Sequence, residues 1–256
     1  MRKTLSLIAA LTVLALWTSQ VLAQNLLVNP GLDLPAENEG ATATGWTLET
    51  FKTNSGPSDT ANFPNFADRA DPAGRGLWYR AFLGTPADPA QANLTQTVPG
   101  IAGAKYVMTG WAHFEAFYPG GLDNINAGTG PPDPTNDGPA SPTDTVFALE
   151  FLGAANNVLS SVTTELRAAG QTNDPDTSPT TGGGRDWLQH MLMGTAPVGT
   201  VSVRVRSSMV DGILNPGVNP QSALVDDFSL TIIPEPASLM LGLIGTVGLL
   251  GLARRR

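Results

Sequence analysis

Apolar and polar residues alternate with a period of two through much of the interior of this chain. Val201, Val203 and Val205 are set against Ser202, Arg204 and Arg206. Leu94 to Val98 sets apolar residues against threonines, and Phe147, Leu149 and Phe151 mark one face of a third run. Successive side chains of a strand point to opposite faces, so each run predicts a half-buried β-strand. Tyr106 to Phe117 is apolar on both faces and predicts a central strand, and Ala223 to Ile232 predicts the last one. Turn-forming groups stand between them, at Val98-Pro99-Gly100, Ala155-Asn156-Asn157 and Pro197-Val198-Gly199. Ser161 to Ala169 fits either a short helix or a strand. No sustained helical period occurs between the two ends, which predicts an all-β fold, a β-sandwich.

Two stretches break the strand pattern. Residues 119–143 and 168–184 are dense in Gly, Pro, Asn, Asp and Thr, and the second ends in Ser-Pro-Thr-Thr-Gly-Gly-Gly. Connections of this length are either functional or disordered. Neither contains an aromatic residue of the kind a sugar site uses, so both are expected to be weakly ordered loops.

The termini carry other patterns. Arg2 and Lys3 precede an apolar stretch from Leu5 to Trp17, and Val21-Leu22-Ala23 follows. A charged start, a short apolar core and small residues before a cut describe a secretory signal peptide. It is expected over residues 1–23, with signal peptidase cutting between Ala23 and Gln24. At the other end, 237–253 is uncharged and almost wholly apolar, which predicts a transmembrane helix. At about 1.5 Å per residue it is about 25 Å long, at the short end for a bilayer core of about 30 Å. Gly242, Gly245, Gly248 and Gly251 recur every third residue, costly in an exposed helix but accepted in lipid. Arg254, Arg255 and Arg256 then hold that end on the cytoplasmic side, so the body from 24 to 232 faces outward.

Pro234-Glu235-Pro236 stands directly before this helix. Triplet, helix and arginine cluster, in that order, resemble the PEP-CTERM sorting signal, over residues 233–256. The resemblance implies recognition by an exosortase, a membrane transpeptidase-like enzyme that removes the segment at or near the triplet. It also implies a didermic bacterial host that makes exopolysaccharide. A retained membrane anchor is the alternative reading.

Charge narrows the partners. The chain has 14 Lys+Arg against 22 Asp+Glu, a formal net charge of −8. Arg2, Lys3 and the three final arginines belong to the terminal segments, so the body is more acidic still. Such a body repels nucleic acid and anionic membrane, and suits neutral partners or cations. There is no cysteine, so export brings no disulfides and stability must come from packing or bound metal.

Several runs of the body together resemble the galactose-binding-like jelly rolls, which include many carbohydrate-binding modules. They are Asn25 to Asp33 (NLLVNPGLD) with Gly45-Trp46, then Leu94 to Gly100 (LTQTVPG) and Tyr106 to Ala112 (YVMTGWA). Phe147 to Leu159, Ala196 to Val205 and the closing Ala223 to Leu230 (ALVDDFSL) complete the set. The resemblance implies a jelly-roll β-sandwich whose first and last strands pair, bringing Asp33 close to Asp226 and Asp227. It further implies one structural calcium ion between them, a hard cation suited to carboxylate oxygens. A solvated acidic pair, or one bonded to backbone amides, is the plainer reading. Asp226 shares its phase with Leu224, Phe228 and Leu230, which predicts that it sits on the buried face.

Candidate chemistry is sparse. Trp46 and Trp111 are expected in the core, while Trp78-Tyr79, where a loop meets a strand, are the expected ligand-binding pair. His113 and His190 lie within strand-like runs and read as structural. No nucleophile elbow, phosphate-binding loop or zinc-binding helix motif occurs. The sequence therefore predicts a non-catalytic protein, exported to the cell surface or exopolysaccharide matrix, with a structural or glycan-binding role. A dedicated carbohydrate-binding module and a polysaccharide-acting enzyme are the alternatives.

Overall fold

The computed structural model describes residues 24–34, 43–51, 69, 74–125, 138–175 and 186–233. The signal peptide through Ala23, the triplet Pro234, Glu235 and Pro236, the helix at 237–253 and the arginines 254–256 lie outside these residues. Among the described residues, nine strands form two antiparallel sheets. They are β1 (Thr47–Thr50), β2 (Leu77–Arg80), β3 (Ala90–Pro99), β4 (Lys105–Phe114) and β5 (Asp144–Leu152), followed by β6 (Val158–Glu165), β7 (Leu188–Thr195), β8 (Ser202–Gly212) and β9 (Ser222–Ile233). One sheet runs β1-β3-β8-β5-β6 and the other β2-β9-β4-β7. With β1 set aside as an added edge, successive strands alternate between sheets except at the β5–β6 hairpin, and β9 lies beside β2. That is the wrapping of a jelly roll.

The alternation read from the sequence becomes the inner face of the five-stranded sheet. Leu94 and Val98 of β3, Phe147, Leu149 and Phe151 of β5, and Val203 and Val205 of β8 are all buried. Across from them the four-stranded sheet contributes Tyr106, Met108, Ala112 and Phe114 of β4, with Val225, Phe228 and Leu230 of β9. Each large side chain so buried is worth about 1.5–3 kcal/mol, which is how a chain without disulfides holds together. All three tyrosines of the chain lie in this core, and the hydroxyls of two of them bond across it. The Tyr79 hydroxyl donates to Ser207 Oγ at 2.9 Å, and that of Tyr118 lies 2.8 Å from Thr145 Oγ1. Burial pushes both phenols well above their ordinary value, so neither ionises.

Three elements differ from the pattern expected. Ser161 to Ala169 is neither purely helix nor purely strand: β6 ends at Glu165 and a turn follows, with Ala169 N–H donating to Glu165 and Leu166 carbonyls. β1 goes unread, while β2 and β7 show in the sequence only as the strand reached at Trp78-Tyr79 and the strand-like run around His190. Most consequential, β9 contains a bulge. Thr109 pairs with Ser229 but Trp111 pairs with Asp226, so Gly110 stands opposite both Asp227 and Phe228. Asp227 takes the left-handed conformation there, φ 49°. The bulge resets the phase. Ala223 and Val225 face the core before it and Phe228 and Leu230 after it, while Leu224 and Asp226 point to the outer face.

The two long connections are packed where they are described. Ile125 N–H donates to the Pro139 carbonyl and Ser141 N–H to that of Asp123, both at 2.9 Å. Asn173 Nδ2 donates to the carbonyls of Ala116 and Tyr118 at 3.0 Å, and Gln171 and Asp174 are buried. These bonds come from the backbone and from the Asn173 side chain; residues 126–137 and 176–185, the middles of the two connections, lie outside the described residues.

Candidate functional site

Two places on the sandwich gather the residues singled out from the sequence. The first is the seam where the chain's opening segment meets its last strand. Leu26 N–H donates to the Leu230 carbonyl at 2.8 Å, and Phe228 N–H donates to that of Pro30 at 2.9 Å. The Asn25 side chain closes the pair, accepting from Leu230 N–H at 3.0 Å and donating to the Phe228 carbonyl at 3.1 Å. Further along the same edge of β9, β2 takes over, with Leu77 opposite Val225 and Arg80 opposite Ser222. The bulge at Asp226-Asp227 falls between these two partners.

Here the three aspartates converge. A Cβ added to Gly31 would stand 2.7 Å from Asp33 Oδ2 and 3.3 Å from Asp227 Oδ1, so the two carboxylates flank that glycine. Each of the three aspartates accepts from nitrogen donors among the described residues. Asp33 Oδ1 accepts the Arg75 backbone N–H at 3.0 Å. Asp226 accepts Asp227 N–H at 2.7 Å on one oxygen and Arg69 N–H at 3.0 Å on the other. Asp227 Oδ2 receives Arg69 Nε at 2.7 Å and Nη2 at 2.5 Å. The Arg69 guanidinium carbon also lies 4.3 Å from the centre of the Trp111 ring. Calcium takes roughly six to eight oxygens, and oxygens already bonded to N–H donors are poor ligands for it. Among the described residues no group of three or more His, Asp or Glu side chains is arranged to hold a metal ion. Among the described residues, both Asp226 oxygens and Asp227 Oδ2 are thus engaged by N–H donors.

The second place is the outer face of the four-stranded sheet. Trp78 of β2 pairs with Leu224 of β9, which pairs with His113 of β4. The His113 ring lies 5.8 Å from that of Trp187, just before β7, tilted at 44° to it. Trp78 and Trp187 pack on Leu224 as a second apolar cluster on the far side of the sheet from the main core. The Arg80 guanidinium lies 4.9 Å from the Trp78 ring centre. One residue pair along, Trp111 stands between Asp226 and Gln189. Three of the chain's five tryptophans thus share one face, each partly exposed. The indole N–H of Trp187 is buried and makes no hydrogen bond among the described residues.

This separates the expected ligand pair. Trp78 lies on the outer face, whereas Tyr79 is 1% exposed and spends its hydroxyl on Ser207, so it is a core residue and not a contact surface. Adjacent strand residues point to opposite faces, which makes one of the two unavoidable. Trp46 is in the core as expected, its indole donating to the Asn29 carbonyl at 2.9 Å. Trp111 is not, because it follows Gly110 on the alternate face of β4. Both histidines are enclosed. His113 Nδ1 lies 3.9 Å from Asp174 Oδ2, and His190 Nε2 lies 2.9 Å from Gln171 Oε1. Arg69 and Trp187 carried no readable signal: Arg69 stands in an unpatterned stretch, and Trp187 precedes a strand whose period is faint.

No family model matches this chain, and no curated protein matches it. Solved structures similar to it include the enzymatically active domain of tailspike protein 4 from bacteriophage CBA120, at 13% identity and a TM-score of 0.45. That match covers 82% of this chain and 21% of the tailspike chain, so this chain spans about a fifth of it. TmCBM61, solved in complex with β-1,4-galactotriose, is similar at 17% identity and TM-score 0.44, over 82% of this chain and 100% of that one. A family 16 carbohydrate-binding module is similar at 16% identity and TM-score 0.43, over 81% and 99%.

Proposed function

We propose that this chain is a non-catalytic exported protein whose jelly roll holds neutral extracellular polysaccharide on the outer face of its four-stranded sheet. The observation that carries the proposal is the division of the aromatic residues. All three tyrosines serve the core, whereas Trp78 and Trp187 pack on Leu224 on the outer face, and Trp111, beside Arg69, lies on that same face. Indole rings offer broad apolar area with a polar edge, the match for a pyranose ring whose apolar face is rimmed by hydroxyls. Arg80 beside Trp78 and Gln189 beside Trp111 add donors for those hydroxyls. The acidic body favours an uncharged polymer over an anionic one.

Delivery to the exterior rests on the terminal segments as read from sequence. Signal peptidase acts after Ala23, and an exosortase acts at Pro234-Glu235-Pro236. The product is placed in the cell envelope or exopolysaccharide matrix. Intact mass of the exported protein tests both cuts at once. Deleting Pro234 to Pro236 should leave the precursor unprocessed, and unchanged processing and surface delivery would count against sorting. A dedicated module with one defined glycan is favoured over a purely structural role by the localised Trp78–Trp187 cluster. Retardation in gels cast with single polysaccharides separates the two, since a scaffold without a ligand migrates unchanged in all of them.

A further inference from the structure

We propose that the guanidinium of Arg69 is the cation that locks the seam of this sandwich, and that the seam holds no metal ion. The inference shares Trp111 with the proposed glycan face but not Trp78 or Trp187, and its test reads metal content and stability, not binding. It starts from the bulge. Asp226 and Asp227 are adjacent, Asp226 is 1% exposed, and Asp33 approaches from the opening segment, so three carboxylates meet where the edge of β9 changes partner. Carboxylates this close resist joint ionisation unless a positive charge or several N–H donors stand among them. The structure supplies both. Arg69 gives its backbone N–H to Asp226 and two guanidinium nitrogens to Asp227, a three-point hold from one residue.

Shape adds to charge. A guanidinium is planar, and its position 4.3 Å from the Trp111 ring centre sets it over an aromatic face while its edge meets Asp227. A metal ion would have to displace this arrangement, because both Asp226 oxygens and one Asp227 oxygen already accept N–H donors. Arg75 adds to the seam through its backbone N–H, which donates to Asp33 Oδ1. Arg69 thus fastens the connection between β1 and β2 to the bulge of β9, and the Asp227 carboxylate it holds flanks Gly31 of the opening segment. Lysine lacks the fork and the plane, and is not equivalent.

The test uses the full exported protein, purified without chelator. Elemental analysis should find no stoichiometric calcium, and the melting temperature should be the same in EDTA and in millimolar calcium chloride. Arg69→Met should lower the melting temperature by about 3–8 °C, and Arg69→Lys should recover part of that loss. Should Arg69→Met fail to fold, Arg69→Lys and Asp227→Asn give the smaller shifts that decide the matter. One bound calcium per chain, or a saturable rise in melting temperature with calcium that Asp227→Asn abolishes, would overturn the proposal. So would an Arg69→Met protein as stable as the parent.

Discussion

Gln96 grips the backbone of Val28 at both of its polar groups. Its Oε1 accepts the Val28 N–H at 2.6 Å and its Nε2 donates to the Val28 carbonyl at 2.8 Å, across 68 positions of sequence. A side-chain amide thus does for the opening segment what a neighbouring strand does elsewhere. It anchors the residues that carry Asn25, Pro30 and Asp33 to their places along β9.

Replacing Gln96 with Ala removes two bonds and leaves the backbone of Val28 to water. The expected loss is about 1–3 kcal/mol of unfolding free energy. Denaturant titration measures it. Gln96→Glu should retain the bond to the Val28 N–H and lose the other, and so fall between parent and Ala.

Gly110 makes the bulge possible. A methyl group there would stand 2.7 Å from Phe228 Cε1 and 2.9 Å from Phe147 Cε2, two rings whose centres are 5.4 Å apart. Neither ring end is a flexible tail that moves at low cost. Gly110→Ala should destabilise by about 1–3 kcal/mol through overpacking, read from the shift in denaturation midpoint.

Stability should also depend on His190 below neutral pH. Burial holds its pKa below the ordinary 6.5, with Glu165 pulling weakly the other way. The unfolded chain therefore binds a proton that the fold refuses, and stability falls as pH drops below about 6.5, levelling off beneath the lowered value. Above that range this group contributes no slope. His190→Gln should flatten the difference in melting temperature between about pH 7.5 and 5.5. An unchanged slope would assign the pH dependence to other groups.

The sequence and the structure agree where side-chain period alone decides. β3, β5 and β8 lie side by side, each with the buried alternation that Leu94, Phe147 and Val203 announce. The meeting of Asp33 with Asp227 came only through the resemblance to jelly rolls, whose first and last strands pair. The phase of Asp226 was not legible. A bulge adds one residue to β9, and nothing in Val225-Asp226-Asp227-Phe228 marks which residue is the extra one; the sign is the glycine on the partner strand. Arg69 escaped notice for a related reason. A side chain that works from an irregular stretch has no period to betray it, and its role depends on what β4 and β9 place beneath it.

The central claim is that the outer face of the four-stranded sheet binds polysaccharide through its tryptophans. Affinity electrophoresis of the exported protein and its Trp78→Ala variant, through gels containing single neutral polysaccharides, tests it most directly. At least one polymer should retard the parent, Trp78→Ala should weaken binding about tenfold or more, and Tyr79→Phe should bind as the parent does. Migration unaffected by every polymer, or equal retardation of the parent and Trp78→Ala, would contradict it.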